Sequence, residues 1–289
     1  MGMATQEVER RPARRFQRAG RRRLAWVGTL PFFAYVGLFL LLPTAIVVWG
    51  GISNGHGLDL SNLKVLANPT ARDAFWHSLE LCAVTAVIGA AFGAVLAYAV
   101  ATGDPDGLLR RVFLAGSGVL AQFGGVTLAF AFTAAIGPTS GFLFHATWFY
   151  SFPVGIGLIY IYFQIPLMLL VFVPAVVGMK KEWREATESL GGSTWDYWRL
   201  VGGRLLLPAF LGGTLLLFAN ALSAYATIQA WENQIPYVVP QLISNAISSE
   251  VGLASANAAQ ALALGMVVLV AIVMTAYVFL QRKTSRWLR

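Results

Sequence analysis

Apolar residues in this chain run in long unbroken stretches, without the polar outer face that an amphipathic soluble helix carries. Six stretches stand out, at about 26–50, 79–102, 112–136, 154–178, 206–228 and 257–281. Each reaches the roughly 20 residues that a helix needs to cross a hydrocarbon core about 30 Å thick. The pattern predicts an all-α, polytopic membrane protein with six transmembrane helices. The first stretch is too long in its apolar part for a signal-peptide core, and no small-residue cleavage site follows Trp49 and Gly50, so it is expected to stay as a span.

The polar segments sort by charge. Six spans put both termini on one side, and 19 of the 21 Lys and Arg residues fall on that side. They are Arg10, Arg11, Arg14, Arg15, Arg18 and Arg21 to Arg23, then Arg110 and Arg111, then Lys180, Lys181, Arg184, Arg199 and Arg204, then Arg282, Lys283, Arg286 and Arg289. Only Lys64 and Arg72 lie opposite. The positive-inside rule therefore predicts cytoplasmic termini, internal loops at 103–111 and 179–205, and external loops at 51–78, 137–153 and 229–256. The expected organisation is a basic tail over 1–25, a membrane domain over 26–281 and a short basic tail over 282–289.

Composition agrees: 57% of residues are hydrophobic, 12% are charged and the mean hydropathy is +0.65. The net charge of +8 follows from topology, so nucleic acid is not an expected partner, whereas lipid head groups beside the arginine-rich start are. Cys82 is the single cysteine, which excludes an intrachain disulfide and a multi-cysteine metal site. His56, His77 and His145 lie in predicted loops without i, i+4 spacing, so no metal site is expected.

The loop at 179–205 exceeds what is needed to turn the chain. From Lys181 it reads KEWREATESLGGSTWDYWRLVGGRLLLPAF. Glu182 to Leu190 are good helix formers, and Gly191 with Gly192 suits a positive-φ helix end. Ser193 and Asp196 have capping-box spacing for a second short helix through Tyr197, Trp198 and Leu200. On the first helix Trp183, Ala186 and Leu190 fall near one stripe, while Glu182, Glu185 and Glu188 share the polar side. Such an element suits a partner's groove.

This loop resembles the EAA motif of binding-protein-dependent ABC importer permeases, most like the polyamine, phosphonate, iron or sulfate branches. Glu185, Ala186 and Thr187 stand for E-A-A, Gly191 for the motif glycine and Val201 for its isoleucine. Gly203 and Arg204 replace the usual Leu-Pro, and Leu206, Leu207, Pro208 and Ala209 match the stretch that follows. Weaker likeness extends from about residue 26 over most of the chain. The resemblance implies a bacterial inner-membrane complex of two permease subunits and two ATPases, supplied by an external solute-binding protein. In it the loop is the coupling helix, with Glu185, Ala186, Leu190, Gly191 and Trp195 facing the ATPase. ATP and Mg2+ belong to the partner, since the chain has no G-x-x-x-x-G-K-[ST] loop; the chain itself is expected to bind no cofactor and to be non-catalytic.

No predicted span carries Lys, Arg, Asp or Glu near its middle, which argues against a proton- or sodium-coupled carrier. The same absence, extended to His, argues against an intramembrane enzyme. These two are the rival classes, a secondary transporter and an intramembrane protease or transferase. Uncharged polar residues remain as candidates for a translocation path: Gln122 in the third span, Gln164 in the fourth, and Asn220, Ser223 and Tyr225 in the fifth. For each the competing role is hydrogen bonding between helices.

Overall fold

The computed structural model describes residues 29–53, 57, 60–104, 106–138, 141–143, 147–231, 238–248 and 256–285. His56, His145, the basic residues at 10–23, Arg286 and Arg289 lie outside them. The described residues form helices α1 (Thr29–Gly51), α2 (Pro69–Thr102), α3 (Leu108–Gln122), α4 (Val126–Ile136), α5 (Val154–Val177), α6 (Lys181–Ser189), α7 (Thr194–Ser223), α8 (Tyr225–Ala230), α9 (Val239–Ser248) and α10 (Ala256–Ser285). Five helices are long and apolar enough to cross a membrane, and a sixth crossing results if α3 and α4 count as one broken span. The chain is a multi-pass helical membrane protein.

Contacts divide the chain after Trp49. The first unit contributes most of α1, where a π-turn at Gly37–Leu41 interrupts the regular ladder, Tyr35 and Phe39 stack at 4.9 Å and Thr44 Oγ1 donates to the Leu40 carbonyl at 2.7 Å. In the second unit α2 and α5 form the central pair. Small residues on α2 let α5 approach: a Cβ at Gly89 would lie 2.7 Å from Cβ of Gln164, and one at Gly93 would lie 2.5 Å from Cβ of Met168. On α7, a Cβ at Gly213 would come within 2.6 Å of Met168 Sδ. Hydrocarbon provides no hydrophobic drive between helices, so close backbone packing of this kind supplies the contact energy.

Three sequence expectations are corrected here. The second span begins at Pro69, ten residues before the apolar stretch, because Asn68 Oδ1 caps the Thr70 amide at 3.0 Å and Pro69 suits the first turn. The third is not a straight span: α3 and α4 meet at 99° across Phe123–Gly125, where Gly125 takes φ 71°. The loop at 229–256 is not merely a connector, since α9 buries Val239, Leu242 and Ala246, with Val239 and Leu242 packed beside Ala71 and Ala74 of α2 and Leu262 of α10. The Val239 amide is anchored on Ser78 Oγ at 3.0 Å.

Candidate functional site

The loop between α5 and α7 folds by local rules. Helix α6 closes as a Schellman motif: the Gly192 amide donates to the Thr187 carbonyl at 2.9 Å and the Gly191 amide to the Glu188 carbonyl at 3.0 Å, with Gly191 at φ 78°. A Cβ at Gly191 would meet nothing, so backbone conformation alone demands glycine there. At Gly192 the demand is steric, since a Cβ would stand 2.8 Å from Thr187 Cγ2.

The capping box expected at Ser193 forms in full. The Asp196 amide donates to Ser193 Oγ at 3.2 Å, and the Ser193 amide donates to Asp196 Oδ2 at 2.8 Å. The Ser193 hydroxyl also donates to Asp196 Oδ2, at 2.5 Å, and these bonds hold the Asp196 carboxyl below its ordinary range. The helix they start is not a second short one. It passes through a π-turn at Trp198–Gly202 directly into the fifth span, giving α7 an unbroken 30 residues. The π-turn also accounts for the glycine that departs from the EAA pattern, because a Cβ at Gly203 would fall 2.5 Å from the Trp198 carbonyl oxygen.

Two aromatic residues brace this loop, one against its own first residue and one against a membrane helix. Tyr197 is buried with its hydroxyl 3.9 Å from Met179 Sδ, and Trp198 meets Tyr98 of α2 edge-on at 5.1 Å. The predicted apolar stripe splits as a result: Trp183 turns half inward, whereas Ala186 and Leu190 stay exposed. Leu190 and Trp195 are 89% and 72% exposed, and Glu182, Glu185 and Glu188 are exposed as well. Arg184 Nε donates to Glu188 Oε1 at 2.9 Å, a bond that raises the guanidinium pKa. Apolar tips and carboxylates thus project together from a stiff turn.

The path candidates do not form one lining. Gln164 is wholly buried and donates from Nε2 to Thr85 Oγ1 at 3.2 Å, tying α5 to α2, so its side chain faces no open space here. Its packing against Gly89 explains why a polar span residue became an interhelical link. Tyr225 does not lie on the fifth span. Helix α7 ends at Ser223, Ala224 breaks the ladder, and Tyr225 starts α8 with its hydroxyl donating to Ser244 Oγ of α9 at 2.8 Å. Ser223 is exposed and returns its hydroxyl to the Asn220 carbonyl at 2.9 Å. Asn220 is half-buried, and its amide has no hydrogen bond among the described residues. Gln122 is exposed at the end of α3, beside the bend.

What sequence reading missed is that two breaks face each other. A Cβ at Gly125, between α3 and α4, would lie 3.8 Å from Cβ of Ala226, just beyond the break at Ala224. Irregular backbone at membrane depth is tolerated where protein or a cavity covers it, and such paired discontinuities occur at transporter binding sites. Gly124–Gly125 was the available signal. Among the described residues no cluster of His, Cys, Asp or Glu is arranged to hold a metal ion.

No family model matches the chain. Several curated proteins do. It is 27% identical over 179 residues, 60% of this chain and 61% of the other, to the probable sulfate transport system permease protein cysT of Marchantia polymorpha. It is 24% identical over 232 residues, 76% of this chain and 77% of the other, to the protein of that name in Nephroselmis olivacea. With that of Chlorokybus atmophyticus it shares 32% identity over 85 residues, 29% of each. The alignments thus span less than two thirds of the Chlorokybus and Marchantia proteins. Among solved structures, a bacterial ABC transporter involved in import of the acidic polysaccharide alginate superposes with a TM-score of 0.71 at 15% identity, covering 91% of this chain and 96% of that one. A methionine ABC transporter in an inward-facing conformation gives 0.55 at 16% identity, over 74% and 94%. The fold is that of ABC importer permeases, and the resemblance first met in one loop extends through the membrane helices.

Proposed function

We propose that this chain is the channel-forming permease subunit of an ATP-driven importer. It works beside a second permease subunit, with two ATPase subunits below and a solute-binding protein above. The observation that carries the reading is the α6 turn, where Glu185, Ala186, Leu190 and Trp195 stand exposed on an elbow held by Gly191 and the Ser193–Asp196 capping box. That surface suits a groove in a partner, as an amphipathic helix end does. Relatives named as sulfate permeases and neighbours named as ABC importers support it.

The excess of basic residues on the loop side supports cytoplasmic termini and a bacterial inner membrane. ATP and Mg2+ would be held by the ATPase partner, with hydrolysis outside this chain. Sulfate, taken from the relatives' names, is the first solute to test. The experiment is reconstitution of the chain with its ATPase and binding protein in vesicles. ATP-dependent uptake that needs all three components supports the proposal, and uptake driven by an ion gradient without the ATPase overturns it.

A further inference from the structure

Where α2, α3 and α5 end on the α6 side, they border a groove of about 790 Å³ that reaches up to α6. Asp104, Arg110, Lys180, Lys181, Glu185 and Tyr98 line it, together with the Arg184–Glu188 pair. Two apolar clefts adjoin the groove and share residues with it. One, of about 370 Å³, shares Tyr98 and Trp198 and continues along Val95, Leu207 and Phe210. The other, of about 570 Å³, shares Asp104 and Arg110 and continues along Leu96, Leu109 and Phe113.

Charge singles out the occupant. Arg184 is committed to Glu188, but among the described residues Arg110, Lys180 and Lys181 have no carboxylate at ion-pair distance. Asp104 and Glu185 also line the groove, so its four cations, Arg110, Lys180, Lys181 and Arg184, face three carboxylates with Glu188 and leave one net positive charge where apolar helices leave the membrane, between two grooves of hydrocarbon character. A soluble anion would answer the cations and leave both clefts wet, and a hydrocarbon tail alone would do the reverse. One molecule class has both parts, and basic pockets between helices at the cytoplasmic membrane face are suited to its head group. We infer that this groove holds one anionic glycerophospholipid, its phosphate against Arg110, Lys180 and Lys181 and its two acyl chains in the clefts. The site rests on the spans and not on transport; the orientation proposed above decides only which leaflet supplies the lipid.

The test uses the full chain purified in detergent and titrated with dioleoyl phosphatidylglycerol or dioleoyl phosphatidylcholine, with bound lipid counted by native mass spectrometry. The chain should retain phosphatidylglycerol, and R110Q/K180Q/K181Q should lose at least about tenfold, since each basic residue near an anionic lipid surface counts for about a fivefold change. Phosphatidylcholine retention should be low and equal in both. Leu207→Trp fills one cleft and leaves every cation in place, so it should also lower retention and carries the test if the triple variant fails to fold. Unchanged phosphatidylglycerol binding in either folded variant overturns the inference. So does displacement of the lipid by an equal concentration of inorganic phosphate, which would mark a site for free anion. Loss of ATPase co-purification in the triple variant, with lipid retention unchanged, would assign the groove to the partner instead. Uptake does not enter the readout, so the permease reading can fail without touching this one.

Discussion

The Tyr160 hydroxyl donates to the carbonyl oxygen of Ala224 at 3.0 Å, reaching from the second turn of α5 to the residue at which α7 breaks. Tyr160 is wholly buried, while Ala224 is half-buried. Tyr160→Phe keeps the ring and removes the donor, leaving the half-buried Ala224 carbonyl without this bond at a cost of about 1 kcal/mol. A lower thermal midpoint in detergent, with the α7–α8 amides exchanging faster, is the expected result. An unchanged midpoint and exchange pattern would mean that the bond does not hold the break.

At the elbow, Gly191→Ala meets no neighbour but forces an L-residue into the left-handed region, at about 1–2 kcal/mol. Glu185→Lys reverses one exposed charge. In a reconstituted complex both should lower uptake and stimulated ATP hydrolysis at least about threefold, with the chain still in the membrane. If coupling survives both, α6 is not the ATPase contact.

Ser193 bonds hold the Asp196 carboxyl below its ordinary value of 3.8. A depressed folded pKa stabilises the capped turn above the unfolded value, and that contribution fades as pH falls from about 4 through the folded value. Amides at 194–198 should therefore lose exchange protection on acidification in this window. Asp196→Asn should flatten the pH profile, and a profile identical to that of the unaltered chain would remove Asp196 as its source.

Asn220 and Ser223 now separate. Ser223 spends its hydroxyl on its own helix, whereas the Asn220 amide is uncommitted among the described residues. Asn220→Ala should reduce uptake per assembled complex several-fold, and Ser223→Ala should leave it near normal. Normal uptake in both would take the pair out of the path.

With Cys82→Ser as background, single cysteines at Ser61 and Ser193 should react with an impermeant thiol reagent from opposite sides of the membrane. Labelling of the Ser193 position in intact cells overturns the proposed orientation.

The spans were legible because hydropathy integrates over 20 residues, and the capping box because its bonds are local. Breaks were harder to see: apolar composition continues across Gly124–Gly125 and across Ala224, so nothing in a sliding average marks either one. The start of α2 was hidden by the polar run Arg72, Asp73, His77 and Ser78, which a cap at Asn68 turns into helix. Helix α9 had a signal in Val239, Leu242 and Ala246, at offsets of three and seven, but the short run lay inside a stretch read as connector. Gln164 and Tyr225 were polar residues in the right neighbourhood whose partners, Thr85 and Ser244, lie 79 and 19 positions away in sequence. Such pairings depend on the packing of helices, which no local pattern encodes.

Because α7 runs without interruption from the capping box at Ser193 to the break at Ala224, it is a rod of 30 residues, about 45 Å long. Its two irregular points are the π-turn at Trp198–Gly202, which Tyr98 packs against, and Pro208, which removes one donor from the helix ladder. On the proposed coupling, a displacement at Ser193 would be carried along this rod to the tip beside Gly125 and the Tyr160–Ala224 bond, which makes Ala224 the joint to flex.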